Sequence, residues 1–150
     1  MKRLLALALT LCLILCGCGG KEEKTVDLSA LYDSLGQYLP EMYPMDEDTM
    51  LNFLGIESAD CVQCHVAICA EGMDADEVWL IQAKDAAALE TLKELADTRV
   101  QAKLDETETY LPDQYVIVEK AQVVVKDLYL ALLISPQVDA MKADVEAALG

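Results

Sequence analysis

Two pairs of short β-prone segments flank one long helical signal, and that order limits what the chain can fold into. The first pair is Cys61–Ala70 and Glu77–Ala83, separated by the turn-rich Glu71-Gly72-Met73-Asp74-Ala75-Asp76. The second is Gln122–Val125 and Leu128–Ile134, joined through Lys126-Asp127. Both pairs are rich in β-branched and aromatic residues and bounded by turn formers, which is the pattern of hairpins. Between them, Asp85 to Leu111 is dense in Ala, Leu, Glu and Lys. Leu89, Leu92, Leu95, Ala96, Val100 and Leu104 form its apolar stripe, with Glu90, Lys93, Glu94, Asp97 and Lys103 on the solvent side.

Three further helices frame this unit. Asp27 is an N-cap for Leu28, Leu31, Tyr32, Leu35 and Leu39 at helical spacing, with Pro40 as the stop. Glu41–Met45 reads as loop, and Asp48–Leu54 as a short helix closed by Gly55. Ser135 is the expected cap of the last helix, with Pro136 in its first position and Val138, Met141, Val145, Ala148 and Leu149 on its apolar face. Asp113–Ala121 fits either an extended segment or a further helical turn. The sequence thus predicts an α+β domain over 26–150. Two β-hairpins form a four-stranded antiparallel sheet with helices packed on one face, in helix-ββ-helix-ββ-helix order. The other sheet face is the expected surface for a protein or small-molecule partner.

The N-terminal segment follows a different logic. Met1-Lys2-Arg3 is a positive start, and Leu4–Leu15 an apolar run well short of the about 20 residues that span a bilayer. Leu15-Cys16-Gly17-Cys18 then reads as a lipoprotein signal, a hydrophobic residue and a small residue ahead of the cysteine that takes lipid. Cys12 and Cys16 each follow a bulky leucine, so Cys18 is the expected lipidation site. Residues 1–17 are the expected signal peptide and 18–25 a polar tether. Acyl chains on Cys18, at about 0.8 kcal/mol per buried methylene, would hold the chain to membrane lipid on the extracytoplasmic face. Removing the signal leaves nine Lys and Arg against 27 Asp and Glu, a net charge of −18. Such a surface repels phosphate backbones, so nucleic acid is not an expected partner.

One constellation carries recognisable chemistry. Cys61-Val62-Gln63-Cys64-His65 matches C-x-x-C-H, in which two thiols add to haem vinyl groups and the histidine ligates iron. A covalent haem on Cys61, Cys64 and His65 is therefore one expectation, and thiol redox chemistry at Cys61 and Cys64 another. A zinc site from Cys61, Cys64, His65 and Cys69 has enough donors. A regular strand, however, sends Cys61 and Cys64 to opposite faces and keeps the four apart. It also puts Cys61 and Cys69 eight residues apart at about 3.3 Å each, beyond disulfide reach. The plainest expectation is that Cys64 is a small core residue and that Cys61, His65 and Cys69 are ordinary strand positions. Asp74-Ala75-Asp76-Glu77 could attract calcium, but lacks the glycine and distal glutamate of an EF-hand loop, and solvated turn residues are expected. No nucleophile elbow or phosphate-binding glycine loop is present, so no enzyme activity and no resident cofactor are indicated.

The chain resembles the small lipoproteins of low-GC Gram-positive bacteria grouped as domain of unknown function 4358. The residues that carry the resemblance are Leu15-Cys16-Gly17-Cys18, the strand-into-helix run Asp76–Asp85, Tyr110-Leu111-Pro112, Gln122–Val125 and Tyr129–Ser135. The C-x-x-C-H of the first strand departs from that family's pattern. The resemblance implies a lipid-anchored extracytoplasmic domain and brings no activity or site residues.

Overall fold

Tyr129-Leu130-Ala131-Leu132-Leu133-Ile134 is apolar at every position, although a strand turns alternate side chains to opposite faces. Such a run is stable only where both faces of a sheet are covered. The computed structural model, which describes residues 25–150, has that arrangement. Helices α1 (Leu28–Leu35), α2 (Glu47–Leu54), α3 (Ala86–Tyr110), α4 (Pro112–Val118) and α5 (Val138–Leu149) surround strands β1 (Met42–Pro44), β2 (Cys61–Cys69), β3 (Glu77–Ala83), β4 (Gln122–Lys126) and β5 (Tyr129–Ile134). The strands form one antiparallel sheet in the order β1-β2-β3-β5-β4.

The two hairpins and the long helix between them stand as expected, and the domain is α+β. The expected four-stranded sheet gains a fifth strand. Met42–Pro44, preceded by Pro40 and ending in a proline, reads as loop, yet pairs with the outer side of β2 through Met42↔Cys69 and Pro44↔Ala67. Proline is tolerated there because an edge strand needs only half of its ladder. Residues 112–118 are helical, with Pro112 in the first turn, where its missing N–H costs nothing. The last helix starts two residues later than expected, after Gln137, and Ser135 Oγ accepts from the Gln137 N–H at 3.2 Å.

The placement of helices on one face is corrected. On one side, Trp79, Ile81, Leu130, Leu132 and Ile134 pack with Met50, Leu54, Leu89, Leu92 and Val118 of α2, α3 and α4. On the other, Val78, Leu80, Ala131 and Leu133 pack with Leu28, Leu31 and Leu35 of α1 and with Val138, Met141 and Val145 of α5. Each central strand therefore serves two cores, and the exposed sheet face expected for a partner is covered. Trp79, the one tryptophan, is fully buried between β3 and α3.

Lys103, expected on the solvent side of α3, is buried as well. Its Nζ donates to the Ala75 carbonyl at 2.9 Å and lies 3.2 Å from Glu77 Oε2. Arg99, one turn earlier, grips the same carboxylate through Nε and an Nη, at 2.9–3.1 Å. Trp79 Nε1 completes the set at 2.7 Å from Oε1. A fully buried Glu77 thus has every oxygen satisfied, and the network bolts α3 to the head of β3.

Candidate functional site

The first turn of β2 departs from a regular strand, and this decides what its cysteines can do. Cys64 pairs with Ile81 and Gln63 with Gln82, but Cys61 pairs with Ala83. Val62 is the extra residue of a β-bulge and points into solvent at 62% exposure. Three steps along β2 correspond to two along β3. Cys61 and Cys64 therefore share one face of the sheet, both packed at the edge of the core beneath α2 and α3.

The bulge is pinned from its neighbours. The segment Ser58–Asp60 is a single 3-10 turn leading into β2. The Asp60 carbonyl accepts from the Lys84 N–H at 2.9 Å, and the Lys84 ammonium meets the Asp60 carboxylate at 2.7 Å. On the other side α2 begins at Asp46, whose carboxylate accepts from the Thr49 N–H at 2.8 Å. The Thr49 side chain and this backbone contact together hold the Asp46 carboxyl below its ordinary range. Capping at Asp46 fixes the first turn of α2 so that Met50 points down onto β2. Between α2 and the bulge lies a cleft of about 380 Å³ lined by Met45, Glu47, Met50, Ser58, Cys61 and Cys64.

Cys64 Sγ sits 3.5 Å from Met50 Sδ. Cys61, as a neutral thiol, faces the Glu57 carbonyl oxygen at 3.7 Å. The two thiols also act on each other's acidity, in opposite directions. The Cys64 S–H stabilises a Cys61 thiolate and pulls the Cys61 thiol below its ordinary range, against the opposing effects of burial and Asp60 and with help from Lys84. The same interaction, together with burial, pushes Cys64 up.

The other candidates fall elsewhere. His65 turns to the opposite face and stacks on Tyr32 of α1, with ring centroids 5.9 Å apart and planes 17° from parallel. The C-x-x-C-H signature is therefore split across the sheet and offers a haem no shared surface. Cys69 is buried at the far end of β2, 4.0 Å from Asp74 Oδ2, and all three cysteines of the domain are free. Among the described residues, no three His, Cys, Asp or Glu side chains converge as metal donors. The acidic run at the hairpin tip disperses too. Asp74 accepts from Gln114 Nε2 at 3.2 Å, Asp76 is buried, and Glu77 enters the core. Cys18 lies outside the described residues.

One expectation thus changes, and one residue of the cleft had no signal in the sequence. The opposite-face placement of Cys61 and Cys64 is overturned by the bulge, which adds one residue and so restores the parity that their spacing lacks. Met50 was invisible as a site residue, because nothing in Asp48–Leu54 distinguishes a sulfur contact from a core methionine.

Among the described residues no helix is long and apolar enough to cross a membrane. Residues 34–135 match the family described as Domain of unknown function (DUF4358). That span covers every strand and the Cys61/Cys64 cleft. No curated protein and no solved structure matches the chain.

Proposed function

The chain belongs to the domain of unknown function 4358 family, and from that premise we propose that it is an extracytoplasmic lipoprotein, tethered through Cys18, whose domain is a binding module working at the Cys61/Cys64 cleft. The leader and Leu15-Cys16-Gly17-Cys18 support the tether. The observation that carries the working surface is the bulge at Val62, which sets two half-buried thiols side by side at the mouth of a cleft. Sheets use bulges to re-aim side chains, and a strand needing only packing would have no use for this one. The cleft replaces the covered sheet face as the partner surface.

The tether is tested by metabolic labelling with a fatty acid. Wild type is labelled and sediments with membranes, whereas Cys18→Ala is unlabelled, and a labelled Cys18→Ala chain would refute the assignment. The cleft is tested with a trivalent arsenical, which bridges two thiols only when they are adjacent. Retention by the arsenical that is lost in Cys61→Ser and in Cys64→Ser supports it.

The placement of both free thiols on one sheet face in one cleft favours a second reading, thiol-disulfide exchange. The Cys61 thiolate attacks a disulfide of a partner protein, and one partner sulfur leaves as thiolate. Cys64 then loses its proton and attacks Cys61 in the mixed disulfide, releasing the second partner thiol. The chain ends as the Cys61–Cys64 disulfide and the partner as a dithiol. Differential alkylation before and after incubation with a disulfide-bonded substrate reads this directly. A dithiol that stays fully alkylatable refutes it.

A further inference from the structure

We propose that the cleft between α2 and the bulge of β2 is a binding site for a soft monovalent metal ion, Cu(I), held by Cys61 Sγ, Cys64 Sγ and Met50 Sδ. The inference deepens the binding reading of the same cleft and rests on it. Its basis is the kind of donor that gathers there. Two thiols and a thioether line one cleft, with Cys64 Sγ and Met50 Sδ 3.5 Å apart. A second methionine, Met45, lines the same cleft and is nine-tenths buried. Sulfur-only donor sets of thiolate and thioether select Cu(I), which is content with two or three ligands.

A divalent ion is a poorer match. Zinc takes four ligands from Cys, His and carboxylate. The imidazole that completes the C-x-x-C-H motif faces the other side of the sheet, on Tyr32. Asp46 is committed to capping α2. Glu47 lines the cleft, but among the described residues no three His, Cys, Asp or Glu side chains are grouped so as to hold a metal ion.

The spacing also favours a bridging ion over a direct sulfur–sulfur bond. Across the bulge, Cys61 and Cys64 stand opposite Ala83 and Ile81, two positions along β3. That spacing amounts to about 6.6 Å at about 3.3 Å per residue. A disulfide reaches to about 6.8 Å between Cα atoms, so the pair sits at its limit. A metal between the sulfurs lengthens the bridge and removes that demand.

Loading involves no electron transfer. The ion arrives and stays as Cu(I), both thiols give their protons to solvent, and the site gains two thiolate charges against one positive ion. Cys61 and Cys64 bind the ion as thiolates, and Met50 closes the third position.

The experiment uses the full chain carrying Cys12→Ser, Cys16→Ser and Cys18→Ser, so that only the three cysteines of the domain remain. The reduced protein is titrated anaerobically with Cu(I) against a chromogenic Cu(I) chelator, and the arsenical is tested in parallel. One Cu(I) per chain is expected, with an ultraviolet sulfur-to-copper charge-transfer band. Cys64→Ser should abolish the band, and Met50→Leu, close in volume, should weaken binding about tenfold or more. Cys69→Ser should change nothing. Trp79 fluorescence establishes that each variant is folded. Arsenical capture without Cu(I) binding, or Zn(II) displacing Cu(I) at equal concentration, would overturn the copper assignment and leave the cleft reading standing. Loss of both Cu(I) and arsenical binding in the folded chain would overturn both.

Discussion

Replacing Glu77 by glutamine tests how the domain is held together. Glu77 is fully buried, while the side chains of Arg99 and Lys103 are only 14% and 9% exposed. The glutamine keeps the shape and leaves Trp79 Nε1 an acceptor, but removes the one anion shared by two cations. Breaking a buried pair from one side costs about 3–5 kcal/mol, because the surviving charge has no compensation. Lys103 retains the Ala75 carbonyl, so the lower end, about 3 kcal/mol, is expected. For a domain of this length that corresponds to a fall in Tm of about 10–12 °C. Urea unfolding followed by far-UV circular dichroism measures it, with Trp79 emission as a second probe inside the network. Glu90→Gln breaks the exposed contact to Lys93, in which Glu90 is 68% exposed, and is expected to cost under about 0.5 kcal/mol. Pairing Glu77→Leu with Arg99→Met should recover part of the loss, since apolar replacements leave fewer charges stranded. A Glu77→Gln protein within about 1 kcal/mol of wild type would refute the view that this network is desolvated and structural.

Three further outcomes are expected. Gly55 closes α2 at φ 73°, and a Cβ there would meet Leu95 Cδ2 at 3.2 Å. Gly55→Ala should therefore cost about 1–2 kcal/mol in urea unfolding, while Gly72→Ala, whose added Cβ meets nothing, should be near neutral. Asp76 Oδ1 is buried without a hydrogen-bond partner, and desolvation raises the carboxyl above its ordinary range. The folded state then holds the proton more tightly than the unfolded one, so this contribution is fully present in acid and is lost as pH rises through the folded pKa. Asp76→Asn should accordingly stabilise at pH 7 by about 1–2 kcal/mol, with the gain shrinking in acid, as thermal melts across pH would record. Peptide-resolved alkylation should find Cys61 reacting at lower pH than Cys64, and Cys64→Ala should move the Cys61 profile upward by removing its donor. Superimposable Cys61 profiles would refute the coupling between the two thiols.

Much of the domain was legible in the sequence because local chemistry dictates it. Asp27 caps α1 as its position predicts, by accepting backbone N–H bonds of the first turn, and Asp46 and Asp85 do the same for α2 and α3. Gly55 and the Lys126-Asp127 turn, where Asp127 takes φ 51°, mark places where the chain must adopt a left-handed residue. The two hairpins follow from their composition and their turns. The covering of both sheet faces also had a signal, the unbroken apolar run of β5, since a one-sided sheet would show alternation.

Other features depended on partners distant in the chain. The β1 strand exists because the edge of β2 offers it hydrogen bonds, which no local pattern in Met42–Pro44 announces. Lys103 and Glu77 look like solvent-facing charges in their own segments, and only the packing of α3 on β3 makes each the other's counterion. The cysteine pair shows the division most clearly. Spacing places C-x-x-C on opposite faces of a strand, and that inference holds for any regular strand. One unpaired residue at Val62 reverses it, because side-chain direction alternates at every step and a single insertion exchanges the faces. Residue identities determined which sulfur atoms and which caps the chain carries. The register between β2 and β3, a tertiary property, decided that Cys61, Cys64 and Met50 meet and that His65 does not.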